Sequence, residues 1–305
     1  MTSLLDGPRA REAFLLRIVM EPPWCIRVQD EAPLSILAIS EGDAWIFHDG
    51  EEPRALGRGD VVVVSGPEPY TFTSHPDVAP QVIVHPGQRC QTPSGEDLAE
   101  AMSLGVRTWG NSLEGSSTVL LGTYERRSEV SRRFLDALPP LIVLRADEWD
   151  SPVVSLLAVE MARDEPGQEV VLDRLLDLLV IAVLRAWFAR ADAPPWYRAH
   201  ADATVGRALQ LLHHNPAHPW TVGELASQVG LSRAALARRF TELVGEPPMT
   251  YLTGWRLALA ADLLREPGST LGAVADEVGY SSPFALSTAF KRQRGMSPQQ
   301  YRAAV

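Results

Sequence analysis

The sequence predicts an α+β multidomain chain. It begins with a small β-barrel, continues through a helical segment, and ends in an all-α domain of two helix-turn-helix subdomains. Three observations carry this prediction. Short β-branched and aromatic runs alternate with turn signals from residue 14 to 90, an apolar stretch with helical spacing occupies residues 170–189, and residues 221–302 contain a tandem repeat.

Residues 36–39, 44–47, 61–64, 70–73 and 81–84 read as strands. Gly42-Asp43, Asp49-Gly50, Gly59-Asp60, Gly66-Pro67 and His75-Pro76 separate them as turns. Strands at this spacing imply a small antiparallel barrel or jelly roll, assigned to residues 1–95. Residues 96–190 read as helical, with helices at 97–104, 130–138, 153–161 and 170–189.

In the last of these, Val170, Leu175, Leu176, Leu179, Val183, Leu184 and Trp187 recur at helical spacing, while Leu172, Leu178, Val180 and Ile181 spread apolar surface to further faces. One core contact needs less than that. A homodimer interface is the expectation, with burial inside the same domain as the alternative. Asp192-Ala193-Pro194-Pro195 places a linker at 191–201, and residues 202–305 form the last domain.

The repeat defines that last domain. Thr221, Leu225, Ala226, Val229 and Gly230 recur as Thr270, Val274, Ala275, Val278 and Gly279. Ser232, Leu236, Phe240, Gly245, Pro248 and Tyr251 recur as Ser282, Leu286, Phe290, Gly295, Pro298 and Tyr301. Two copies are too few for a solenoid, which needs about three, so duplication points to two copies of one binding unit.

Each copy reads as helix, Gly turn, Ser-capped second helix, at about 221–244 and 270–294, with a connecting helix at about 249–264. Thr221 and Glu224 have the spacing of a reciprocal capping box. The second helix of the first copy turns Leu236, Phe240 and Leu243 inward, leaving Ala234, Ala237 and Arg238 outward.

Residues 197–302 resemble the DNA-binding domain of AraC/XylS regulators. The match rests on Gly279-Tyr280-Ser281-Ser282, Phe290-Lys291-Arg292 and Gly295-Met296-Ser297-Pro298-Gln299-Gln300-Tyr301-Arg302. The resemblance implies double-stranded DNA as partner, RNA polymerase as a further one if the protein activates, and recognition helices in successive major grooves. By residue match, Ala234, Ala237, Arg238, Pro283, Phe284, Ser287 and Thr288 would face bases. Ser232, Arg233, Arg239, Ser282, Lys291 and Arg292 would meet phosphates or, for the cations, the domain's own acids. Thr288 stands where the family often has arginine, and Arg238 is the foremost base reader because arginine pairs bidentately with guanine.

Charge follows the same division. The chain carries −10 overall. Residues 196–305 hold 11 Lys and Arg against 8 Asp and Glu, a net +3, which leaves −13 upstream. No apolar run reaches the ~18 residues of a membrane span. Residues 1–13 break at Asp6, Gly7 and Pro8, unlike a secretory leader. Two cysteines make no disulfide scaffold, so a cytoplasmic location is expected.

Pro23-Trp24, residues 42–50 and Leu56-Gly57-Arg58-Gly59-Asp60 make the first domain resemble the cupin-type sensor of one branch of these regulators. The resemblance implies a barrel interior that receives a signal. Tyr70 replaces a histidine that cupin enzymes use, and no His-x-His occurs in the domain, so neither catalysis nor a cofactor is expected. A metal set of Cys25, His48, His85 and Cys90 is the minor alternative, as is a metal-dependent cupin enzyme with an accessory DNA-binding domain. Members of the branch sense reactive chlorine and other oxidants through two cysteines placed like Cys25 and Cys90, with Arg27 and Arg89 nearby to favour thiolates. Oxidant sensing through a Cys25–Cys90 disulfide is therefore one expectation, and a small-molecule signal is the other.

Overall fold

The computed structural model describes residues 13–124, 138–149, 151–189 and 195–304. Contacts divide the chain into two compact units, one built from Pro8–Arg127 and Leu135–Arg190, the other carrying Ala191–Val305. No helix among the described residues is long and apolar enough to cross a membrane.

The first unit contains β1 (Phe14–Met20), β2 (Cys25–Val28), β3 (Leu34–Glu41), β4 (Ala44–His48), β5 (Arg54–Leu56), β6 (Val61–Ser65) and β7 (Tyr70–Thr73). These are followed by β8 (Val82–His85), β9 (Arg89–Gln91), β10 (Ser103–Gly105), β11 (Thr108–Gly110), β12 (Ser117–Tyr124) and β13 (Leu141–Leu144). A seven-stranded sheet runs in the order β10, β11, β1, β12, β3, β6, β13, and a six-stranded sheet in the order β5, β4, β7, β2, β8, β9. Ile18, Leu37, Val62 and Val119 of the first share one core with Ile26, Ile46, Phe72 and Val82 of the second. Each sheet keeps its own edges, so the expected barrel is an open two-sheet sandwich, with no closed barrel among the described residues.

The five strand runs read from the sequence fall in β3, β4, β6, β7 and β8. Strands β10 to β13 lie beyond residue 95, inside the segment expected to be helical. β12 pairs with both β1 and β3 and is buried along nearly its whole length, so its sequence lacks the alternation that marks a half-exposed strand. The helix expected at 97–104 is replaced by turns and β10. There the Thr92 and Asp97 side chains accept from the Glu96 and Ala99 amides, competing with helical bonding, while Leu98 and Met102 pack on the sandwich core. The helix expected at 130–138 falls almost wholly outside the described residues.

Two helices follow the sheets, α1 (Val153–Met161) and α2 (Gln168–Phe188). α2 lies on the outer face of the seven-stranded sheet, where Gly122 leaves room for Leu176: a Cβ at that position would collide with the leucine. Leu172, Leu176, Leu179, Val180, Val183 and Leu184 are buried within the chain, each such burial contributing about 1.5–3 kcal/mol. The several apolar faces read as a dimer interface are therefore largely used by the sheet and α1. Val170, Val171 and Leu178 remain exposed, as do Leu156 and Val159 of α1.

The second unit comprises α3 (Pro195–Ala201), α4 (Val205–His214), α5 (Val222–Gln228), α6 (Arg233–Val244), α7 (Pro248–Arg265), α8 (Leu271–Val278), α9 (Pro283–Arg294) and α10 (Pro298–Ala304). The end of the expected linker is thus helix α3, whose Ala199 is fully buried. The first half of α7 closes one core through Tyr251 and Leu252, and its second half closes another through Leu257, Ala260 and Leu264. The repeat is visible in the packing: Phe240 meets Tyr251 at 5.8 Å and 72°, and Phe290 meets Tyr301 at 5.4 Å and 69°.

Thr221, Ser232, Thr270 and Ser282 each cap a helix, accepting from the amide three residues on. The reciprocal half of the Thr221 capping box is not formed, because the Glu224 carboxylate pairs with His218 Nε2 at 2.7 Å. Gly230 and Gly279 turn the chain between the paired helices at φ +71° and +80°, backbone that a side chain rarely adopts.

Candidate nucleic-acid interface and sensor site

The second helices of the two helix-turn-helix copies, α6 and α9, present the candidate interface. Leu236 and Phe240 anchor α6 from one face, and Leu286 and Phe290 anchor α9. This leaves Ala234 and Arg238 exposed and Ala237 half-buried on α6, with Pro283, Phe284 and Thr288 exposed and Ser287 half-buried on α9. Phe284 is 81% exposed, an apolar surface that a folded domain leaves unpartnered unless something covers it. The Thr288 hydroxyl donates to Phe284 O at 3.0 Å, which leaves its methyl as the group of choice for a groove.

The cations divide into two kinds. Arg239, grouped with the phosphate contacts on sequence, donates to Asp202 at 2.6 Å through Nη2 and 3.1 Å through Nε. That pairing, with further bonds from the Thr204 and Val205 amides, holds the Asp202 carboxyl well below the usual range. Arg256 donates to Pro216 O and His218 O, Arg302 to Leu264 O and Ser269 O, and the Arg265 and Arg294 guanidiniums lie over the Tyr301 ring.

These five arginines tie the domain together. Arg238 has only a loose 3.8 Å contact with Glu242, both ends exposed, worth a few tenths of a kcal/mol at most. It is available to a ligand, and Arg233 on the same helix and Lys291 and Arg292 on α9 are exposed as well. Ser232 and Ser282 accept as caps, so their hydroxyl protons remain free to donate.

The sensor residues do not assemble as the sequence implied. Cys25 is opposite Thr73, whereas Cys90 is opposite Val84 and thereby level with Val28 two strands away. Three residues along and two strands across separate their Cα atoms by about 14 Å, against the ~7 Å a disulfide tolerates. The odd offset also puts them on opposite faces: Cys90 lines the sandwich interior with Val28 and Val84, and Cys25 shares the outer face with Arg27.

Burial raises both thiols. Cys90, with Asp97 adding to burial, is pushed up to about 11, and burial outweighs Thr73 and Arg27 at Cys25. Arg27 is committed to Asp49 at 2.5 Å, and Arg89 donates to Pro86 O. The Cys25–Cys90 disulfide expectation is therefore corrected by register and by acidity.

The alternative metal set fails on the same geometry. His48 bonds Pro69 O through Nδ1, His85 lies beside Gln29, and no three His, Cys, Asp or Glu groups converge among the described residues.

What the sequence reading missed is a pocket at one end of the sandwich, where β1, β3 and β7 begin and β2, β8 and β12 end. It occupies about 500 Å³ counted out to solvent. Ile26, Leu37 and Phe72 give it apolar walls, and Tyr70, Thr123 and Trp109 are among its other lining residues. The Tyr70-Thr71-Phe72-Thr73 alternation of β7 carried a trace of this site, but β1, β2, β11 and β12 were not among the strands read from the sequence.

A strand-rich unit followed by two matched helix-turn-helix subdomains defines a class, the DNA-binding transcription regulators with a separate N-terminal domain. The comparisons with known proteins agree. A cupin family model matches residues 1–189, and a helix-turn-helix domain model matches residues 225–304. A putative AraC-like transcription regulator of Streptomyces lividans is 33% identical over 92% of this chain and 90% of its own length. The RCS-specific HTH-type transcriptional activator RclR of Escherichia coli is 27% identical over 62% of this chain and 69% of its own. The solved DNA-binding domain of AdpA in complex with a target DNA is 33% identical over 34% of this chain and 92% of that one, with a TM-score of 0.32. The chain belongs to the AraC family of transcription regulators, with a cupin N-terminal domain.

Proposed function

We propose that this AraC-type regulator reads its operator chiefly through α6, with Arg238 as the base-reading cation, and that its sandwich domain senses a small molecule. The carrying observation is the division among the cations. Arg238 is exposed and loosely held on a helix whose neighbouring Arg239 is locked to Asp202. Ala234 and Ala237 flank it without obstructing a groove, while Pro283, Phe284, Ser287 and Thr288 on α9 offer apolar and hydroxyl contacts of lower discrimination. Ser232, Arg233, Ser282, Lys291 and Arg292 position the helices on phosphates.

A small-molecule signal is favoured over cysteine oxidation by the separation of Cys25 and Cys90 and by the burial that raises the pKa of both thiols. Regulation without catalysis in the cytoplasm, with RNA polymerase as partner where the protein activates, completes the reading. Genome-wide footprinting of the wild type and Arg238→Ala tests it. The variant is expected to lose about 1–3 kcal/mol, roughly five- to 150-fold, at one guanine position and to bind degenerate sites there. Unchanged affinity and unchanged sequence preference would refute the assignment.

A further inference from the structure

We propose that the pocket at the end of the sandwich takes a small, uncharged, mainly apolar molecule that offers a hydrogen-bond acceptor to the Trp109 indole. The inference rests on the sensing role assigned above and names the chemistry of its ligand.

Trp109 stands opposite Ile18 in the β1–β11 pairing, on the interior face. It is 7% exposed, and its Nε1 is buried without a hydrogen-bond partner. A buried donor left unpaired costs about 1–3 kcal/mol, and an acceptor entering this pocket would remove that cost. The other polar atoms here are already engaged: Ser35 Oγ and Thr123 Oγ1 lie 3.3 Å apart, and Ser35 also bonds the Tyr70 hydroxyl.

Among the described residues that line the pocket none is cationic and one is charged, Asp30, which accepts from the Ala32 amide and the Gln88 amide group. An anionic ligand would be buried beside that carboxylate, an unfavourable arrangement. The enclosed part holds only about three waters, so a ligand must widen it. Phe14, half-buried at the start of β1, lines the pocket and can move without breaking a sheet.

Three probes of similar shape test the chemistry on the full-length protein: acetophenone (neutral, with an acceptor), ethylbenzene (neutral, without one) and benzoate (anionic). Calorimetric titration and thermal shift should show acetophenone binding most tightly and raising Tm, ethylbenzene weaker, and benzoate without effect. Trp109→Phe keeps the ring and removes the donor. It should weaken acetophenone about tenfold, the equivalent of one hydrogen bond, and leave ethylbenzene unchanged. Cys90→Phe, on edge strand β9, should fill the pocket and exclude both neutral probes.

Benzoate binding as tightly as acetophenone, no acetophenone binding at millimolar concentration, or an acetophenone affinity indifferent to both variants would overturn the proposal. Operator binding measured on the same unliganded samples separates the two levels. Intact DNA binding with any of those outcomes removes only the ligand class, whereas absent DNA binding removes the regulatory reading beneath it.

Discussion

Arg238 and Arg239 are adjacent in sequence and opposite in employment, because a step of one residue on a helix turns a side chain by about 100°. One points away from the domain, and the other reaches Asp202 at the N-terminus of α4. No local sequence pattern separates them, since the acid that claims Arg239 lies 37 residues upstream.

His213 shows the same dependence on tertiary context. It is buried among α3, α4 and α7, its Nε2 2.7 Å from the Tyr251 hydroxyl and its ring 4.1 Å from Trp255 and 5.8 Å from His200. Burial, with the neighbouring His200 and His214 adding to it, lowers its pKa from 6.5 to about 2. The folded domain therefore holds it neutral while the unfolded chain takes up a proton below pH 6.5. Stability is present above that pH and is lost as pH falls, with a limiting slope of about 1.4 kcal/mol per pH unit. Chemical denaturation at pH 4.5 to 7.5 should show this slope for the wild type and a shallower one, by about one proton, for His213→Leu. Equal slopes would mean that His213 does not govern the acid sensitivity.

At the scale of elements, α2 is the helix through which the first unit would meet a second copy. The sheet and α1 cover most of its apolar residues, yet Val170, Val171 and Leu178, with Leu156 and Val159 of α1, stay 44–63% exposed. Exposed apolar surface on two packed helices is a candidate association site, and an isologous pairing would give two DNA-binding units at a joint effective concentration. Leu178→Asp should convert a dimer of the full chain to monomer in sedimentation velocity at micromolar concentration while leaving α-helical content unchanged. A monomeric wild type would dismiss this interface.

The paired helix-turn-helix units were legible down to their caps, because repeated Thr, Ser, Gly and Phe positions encode local structure twice. β12 and the pocket it lines were not legible. A central strand covered on both faces loses its period-two signature, and the pocket exists only where six strand ends meet. The two cysteines fall on β2 and β9 of one sheet, and their register, and so their distance and facing, follows from pairings that composition does not contain.

For the molecule as a whole, an acidic chain that binds DNA must do so with few cations, and the structure limits them further. Five of the 11 Lys and Arg in residues 196–305 are engaged within the domain: Arg239, Arg256, Arg265, Arg294 and Arg302. If Arg233, Arg238, Lys291 and Arg292 are the cations that meet DNA, each protomer neutralises about four phosphates, and log K should fall against log salt with a slope near −3.6, or about −7 for a dimer on two half-sites. If all 11 took part, the slope would approach −10 per protomer. Titrations of the operator from 50 to 200 mM salt distinguish these values. A slope near −10 per protomer would show that the internal arginine contacts open on DNA, making the Asp202–Arg239 pair a competitor of the phosphate backbone; a slope near −3.6 means that the domain binds with its internal clasps closed.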